Sequence, residues 1–595
     1  MALFQAVRLA AVNTRDISKL GSPFLAATVG QHKAPLTMPA APLPPNRPRM
    51  HGAGLARART WLVEAMAVIA GAGLLLGVIA ADGRPVVFAD TNIYIWMGHM
   101  QLRPLRYALA PVLGGPASAS QDPDAADEDP AQMRLRRTEM AARSPWFGLT
   151  LYIATALGGL WAYAALQSLA ASFAVRSLWR AAGGGGALEH LGVMTLLAAG
   201  TTLPFFAGFA MPDLWAGVGL VALASLLFLP ERLDRTAKGA LFLLLLAAMT
   251  FHQSNALAAA PAAAGAVLAA RVIWRAPWRR MAVGLWLFVA ALACAIALQA
   301  GYAAAVRTAT GDTLRSPPFL AARILADGPG RVYLRRSCAQ GERWALCRFR
   351  NLPLDNSQDI LWSGDPAKGV FGQTGVNERI RIDREQLRFV LNAVAADPAG
   401  STRAALSNAW KSLVSVKLED PLRDPHFYLT DPDWRDTYIA DLVHELGPCD
   451  PDERGCRSRL DPAPLALWHG AVCLAALGWF AWVLCQKRMR RIVLGQRLGP
   501  VILFLLAAVL FNAAAAGILS GPFARYQARI AWIPPLAALL AARAVLRRRP
   551  TPPPLPDAPG PLIPRGPVQT AEAGYVGHGS AAAIFSGPGV GVVGR

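Results

Sequence analysis

Charge is scarce in this 595-residue sequence. Asp, Glu, Lys and Arg together make up 16 % of it, against about 25 % in a typical soluble domain. That shortage excludes an ordinary water-soluble protein. Acidic residues are the scarcer kind, 38 against 59 basic ones, and the formal net charge is +21. Such an excess can mark a nucleic-acid binder. Here most of it lies in short clusters beside apolar runs, so it reads as membrane topology and no nucleic-acid partner is expected. No signal-peptide apolar region with a cleavage site precedes the first long apolar run. Residues 1–60, rich in Ala, Pro and Arg, are expected to be a disordered cytoplasmic tail. Cysteine is sparse too, at seven, and the pairs outside the apolar runs lack the short CxxC spacing of zinc sites, so no metal site is expected. Nothing in the sequence names a cofactor.

Apolar residues are abundant, at 54 %, and mean hydropathy is +0.32. They come in blocks long enough to cross a bilayer. The expected fold is an all-α polytopic membrane protein with about ten transmembrane helices. Spans one to seven fall within residues 61–301, with a first outside loop at 81–145. A mostly helical extracytoplasmic domain is expected at 302–464, between spans seven and eight. Spans eight to ten occupy 465–546, and 547–595 is a second disordered cytoplasmic tail, rich in Pro and Gly.

One apolar stretch decides the count. It runs from Ala240 to Ala270 and carries His252-Gln253-Ser254-Asn255 in its middle. It is too long for one span and short for two, which suits a tight hairpin with a polar tip. Polar groups at that depth survive only where they line protein or a wet cavity. With the hairpin, every short cytoplasmic turn carries two or more Arg or Lys; without it, the later basic clusters fall on the wrong side. Both termini are then cytoplasmic.

Four short segments face the outside together: those around Asp90, Asp213, His252 to Asn255, and Arg525 to Arg529. The candidate catalytic residues are Asp90, His252 and Asp213. The candidate substrate-binding residues are Arg525, Tyr526, Arg529, Ser254 and Asn255. Guanidiniums hold phosphate oxygens in bidentate fashion, and a carboxylate can take a proton from an acceptor hydroxyl. Each residue has a plainer reading as well. Asp90 could cap an interfacial helix over 93–105, and Asp213 could cap span four. His252 could close the hairpin backbone, and the arginines could snorkel to headgroups. Glu64 could snorkel from the cytoplasmic end of span one, while Gln167, Gln299 and Asn512 read as interhelical glue. Asp441, His444 and Glu445 read as a solvated helix face. Cys338, Cys347, Cys449 and Cys456 lie in the hydrophilic region and could form two disulfides, paired locally, Cys338 with Cys347 and Cys449 with Cys456.

This layout resembles the GT-C glycosyltransferase superfamily: an acidic residue in the first outside loop, interfacial helices there, and a soluble region late in the chain. Val87-Phe-Ala-Asp90-Thr91, Arg143-Ser-Pro-Trp-Phe-Gly148, Phe251-His252-Gln-Ser254, Ser316-Pro-Pro-Phe-Leu-Ala-Ala-Arg323 and Arg525-Tyr-Gln-Ala-Arg529 resemble a group of uncharacterised proteobacterial polytopic inner-membrane proteins. The GT-C resemblance implies transfer of a glycosyl group from a polyprenyl-phosphate donor at the periplasmic face of the inner membrane, with membrane lipid as partner. Asp90 would be the base and Arg525 and Arg529 the phosphate holders. Asp90 stands alone where that superfamily commonly has an acidic pair, which argues against its metal-dependent mechanism. A lipid or solute transporter and a non-catalytic scaffold of envelope-polysaccharide assembly are the rival expectations.

Overall fold

A computed structural model describes residues 51–113, 143–311, 314, 316–418, 459–495 and 497–547. Of the tails expected at 1–60 and 547–595, residues 1–50 and 548–595 lie outside them, as do the acidic insertion at 121–129, the Asp441, His444 and Glu445 group, and Cys449 and Cys456. Residues 51–60 are not a disordered tail but the start of the first helix, and Arg547 ends the last one. Among the described residues there is no β-strand, only an isolated parallel bridge between Val86 and Phe209.

The first half comprises α1 (His51–Asp82), α2 (Ala89–Leu113), α3 (Pro145–Ala181), α4 (Ala187–Gly200), α5 (Leu203–Gly208), α6 (Leu214–Phe228), α7 (Arg235–Phe251), α8 (Ser254–Val272) and α9 (Trp278–Thr310). Then come α10 (Phe319–Ala326), α11 (Pro329–Ala339), α12 (Ser357–Trp362), α13 (Val376–Ala396) and α14 (Pro398–Val414). The chain closes with α15 (Pro462–Cys485), α16 (Lys487–Val493), α17 (Leu498–Leu519), α18 (Ala524–Ala528) and α19 (Ile533–Arg547).

Seven helices among the described residues are long and apolar enough to cross a membrane: Arg59–Asp82, Pro145–Ala181, Ser254–Val272, Trp278–Thr310, Pro462–Cys485, Leu498–Leu519 and, with α18 and α19 taken together across the turn between them, Ala524–Arg547. Three of the ten apolar runs fall short of that measure. Helices α4, α6 and α7 have 14, 15 and 17 residues. At about 1.5 Å rise per residue they reach roughly 21–26 Å, against a hydrocarbon core of about 30 Å. The run Leu191–Ala210 is not one helix. Thr201 is extended and its hydroxyl turns back to Leu197 O, while Thr202 donates to Ala528 O at 2.6 Å, so the chain breaks before restarting at α5. Helix α6 is buried along its whole length. It is apolar all round because it meets other helices on every side.

Two helices depart from simple rods. Helix α3 bends at Gly158 and Gly159, where Gly159 takes φ +65° and ψ −166°. Only glycine adopts that backbone without strain. Helix α9 continues past the expected span end at Gly301 to Thr310, 33 residues in all, or about 50 Å.

A second, smaller core lies within 319–393, built on Leu325, Leu334, Trp344, Ile360 and Phe389. A disulfide joins Cys338 and Cys347 beside it.

Helix direction alternates, so charged groups collect at two ends. At one end Glu64 binds Arg176 at 2.8 Å and Arg180 at 3.3 Å, and Glu231 binds Arg280 at 3.0 Å. Glu189 there binds Arg543 at 3.0 Å and also Arg547. Glu64 is thus paired with a buried arginine on α3 rather than reaching for headgroups. The opposite end holds the candidate site.

Candidate functional site

The chain between α1 and α2 is fixed first. Val86 N donates to Gly208 O at 3.0 Å and Ala210 N to Val86 O at 2.9 Å, which forms the isolated bridge. Thr91 Oγ1 accepts from Phe88 N and donates to Ala210 O at 3.0 Å. These bonds seat the start of α2 beside the loop that leads into α6. Helix α2 begins at Ala89 and runs to Leu113, longer than the 93–105 segment expected from periodicity.

Asp90 therefore lies inside the first turn of α2, not at its cap. Its carboxylate takes two hydrogen bonds on Oδ1 from Arg143, one at 3.1 Å from Nε and a shorter one from Nη2. Arg143 in turn lies over the Trp362 ring, 5.5 Å from its centroid. This arginine precedes Ser144, which caps α3 by accepting from Phe147 N, and donates to Thr250 O at 2.8 Å. Burial raises the affinity of Asp90 for a proton, but the guanidiniums of Arg143 and Arg525 outweigh it and hold the carboxyl below its usual range.

Asp213 sits at the cap position of α6 but makes no side-chain cap bond. It faces two arginines instead. Arg525 Nε lies 3.7 Å from Oδ2 and Arg529 Nη1 lies 3.5 Å from Oδ1. Asp213 and Arg529 are almost fully buried, and Arg525 is partly open. These separations are ion pairs without hydrogen bonds: Asp213 Oδ2 and Arg529 Nε and Nη1 are buried with no hydrogen-bond partner. Buried charge in that state is costly, and such groups gather at functional sites.

Arg529 is positioned from the opposite side. Its Nη2 donates to Asn512 Oδ1 at 2.9 Å, and Asn512 Nδ2 donates to Tyr526 O at 2.7 Å and to Gln527 Oε1 at 3.0 Å. The same Nη2 reaches Ser254 Oγ at 3.5 Å. Tyr526 supplies a ring beside both guanidiniums, each 5.5 Å from its centroid, and Phe88 lies 5.1 Å from Arg525.

His252 joins α7 to α8. Its Nδ1 lies 2.7 Å from Ser254 Oγ and accepts from Ser254 N at 3.3 Å. A ring nitrogen that accepts carries no proton, so Nε2 bears it. Burial, with the charge of Arg529, pushes the imidazole down to about 4. Asn255 Nδ2 donates to Ala248 O at 2.8 Å and closes the hairpin.

The structure thus brings Asp90, Asp213, His252, Ser254, Arg525, Tyr526 and Arg529 to one end of the bundle. Asn255 serves the hairpin beside them. The chain matches no family model, no curated protein and no solved structure.

Two members were not placed in the site from the sequence: Arg143, seen only as part of a motif, and Asn512, read as interhelical glue. Arg143 follows Arg134, Arg136 and Arg137 in one basic stretch, so nothing in the sequence singled it out as the partner of Asp90. Asn512 was visible as a polar residue in mid-span, but nothing in its neighbours named Arg529 as its partner. Among the described residues no three His, Cys, Asp or Glu side chains gather as a metal site would require.

Proposed function

We propose that the protein is a multi-pass bacterial inner-membrane transferase. In this reading all ten apolar runs lie in the bilayer, α6 enclosed by its neighbours and α4 and α7 turning Leu188, Leu196 and Leu243 outward, and both termini are cytoplasmic. The site end faces the periplasm. The basic residues at the other end support that sidedness, as does the Cys338–Cys347 disulfide, since such bonds persist outside the cytoplasm.

The observation that carries the reading is the pairing of Asp213 with two arginines at 3.5 Å and 3.7 Å, short of any hydrogen bond. Guanidiniums held this way can exchange a carboxylate for the oxygens of a lipid phosphate. Asp90 stays ionised and presents Oδ2 while Arg143 holds Oδ1, so it suits the base that takes a proton from an acceptor hydroxyl. His252, neutral at physiological pH, orients Ser254 toward Arg529. The donor is a polyprenyl-phosphate-linked group, and glycosyl transfer is the reaction class.

The test is consumption of a polyprenyl-phosphate-linked sugar by purified protein in proteoliposomes. Asp90→Asn is expected to abolish it at unchanged expression. Wild-type turnover in that variant removes Asp90 as the base.

A further inference from the structure

Helix α14 (Pro398–Val414) lies along α17, a span candidate, and touches α18, which carries Arg525. Its amphipathic pattern is inverted. The residues it turns into the protein are small or polar: Ser401, Asn408 and Ser412 are buried. The residues it turns outward include its largest apolar ones: Leu406 is 65 % exposed, Trp410 64 % and Val414 58 %. A helix packed on protein in water does the opposite, because burying apolar surface is what holds it there. Small residues inward and large apolar residues outward is how helices pack when the surrounding medium is lipid.

The contact itself has the form of a membrane helix pair. A side chain on Gly517 of α17 would come within 2.4 Å of the Asn408 carbonyl oxygen. Only glycine lets the two backbones approach so closely. The outward face is also continuous with lipid-facing surface, since α17 exposes Leu510, Phe511 and Ile518 beside it. Arg403 shares that face one turn before Leu406, toward the start of the helix, and Lys411 flanks it; both are exposed, as basic side chains that reach lipid headgroups are.

We propose that α14 is an embedded element of the membrane part, with Leu406, Trp410 and Val414 seated in lipid. The occupant of its outer face is the bilayer. The inference is independent of the transferase reading, since it asks only where this helix lies.

The test is nitroxide depth measurement in proteoliposomes. The five cysteines outside the disulfide, Cys294, Cys449, Cys456, Cys473 and Cys485, are replaced by alanine. Labels are placed separately at Leu406→Cys and Trp410→Cys, two sites so that a misfolded variant does not decide the matter. Val332→Cys, exposed on α11, is the aqueous reference. Both α14 labels are expected to collide with dissolved oxygen several-fold more often than with a water-soluble nickel chelate, and the Val332 label the reverse. Nickel-chelate collision at Leu406 and Trp410 equal to that at Val332 places the face in water and overturns the proposal. Labels shielded from both reagents place it against protein, a second copy or a partner, and overturn it equally.

Discussion

Asp90 and Arg143 meet although 53 residues separate them, with both hydrogen bonds landing on one carboxylate oxygen. The pair ties the start of α2 to the start of α3, and Trp362 at the end of α12 lies against the guanidinium. Arg143 is the nearest cation that keeps Asp90 ionised. Arg143→Gln is therefore expected to raise the Asp90 pKa. On the proposed reading, in which Asp90 acts as the base, donor consumption then loses its acid limb at higher pH than in wild type. A pH–rate profile of the two proteins checks this, with Arg143→Lys expected in between. An unshifted limb removes Arg143 as the positioning residue.

His252 gives a pH dependence of stability with a definite sign. Its imidazole is held at about 4 in the folded protein, against about 6.5 for the unperturbed side chain. The unfolded chain binds more protons between those values, so the contribution is complete above about pH 6.5 and is lost as pH falls toward 4. Thermal unfolding in detergent is expected to drop between pH 7 and pH 5 in wild type and to drop less in His252→Asn. Equal drops would contradict the burial of a neutral imidazole there.

Asn512→Ala strips Arg529 of its best-placed hydrogen bond. A buried donor left unsatisfied costs about 1–3 kcal/mol and a charged one more, so the unfolding temperature should fall. Asn512→Asp is expected to recover part of the loss, because its carboxylate accepts from the same guanidinium. Recovery with neither variant bound to donor lipid would show that Asn512 sets the position of Arg529 as well as its stability.

Much of this was legible in the sequence, for physical reasons that differ by element. Apolar runs mark where membrane helices start and stop, because the bilayer fixes their length. The excess length of 240–270 marked the break at His252, and that is where α7 ends and α8 begins. What the pattern cannot carry is pairing. Asn512 announces that it has a partner, but the partner lies across the turn on α18. Arg143 reads as one more arginine of the 134–143 stretch until the start of α2 places Asp90 against it. Helix α14 shows the limit of periodicity: spacing locates an apolar face, and only the packing reveals which face is turned inward. The bend at Gly158 and Gly159 sits in an unbroken apolar run, where hydropathy passes over it and only the Gly-Gly pair marks it.

The central claim is that Arg525 and Arg529 hold a phosphate-bearing lipid beside Asp213. Native mass spectrometry of the purified protein with a polyprenyl phosphate measures this directly. Wild type is expected to retain the lipid, and Arg525→Gln to lose about tenfold or more in affinity, the worth of one charge-assisted hydrogen bond. Equal retention by wild type and Arg525→Gln, or no lipid bound by either, would contradict the account.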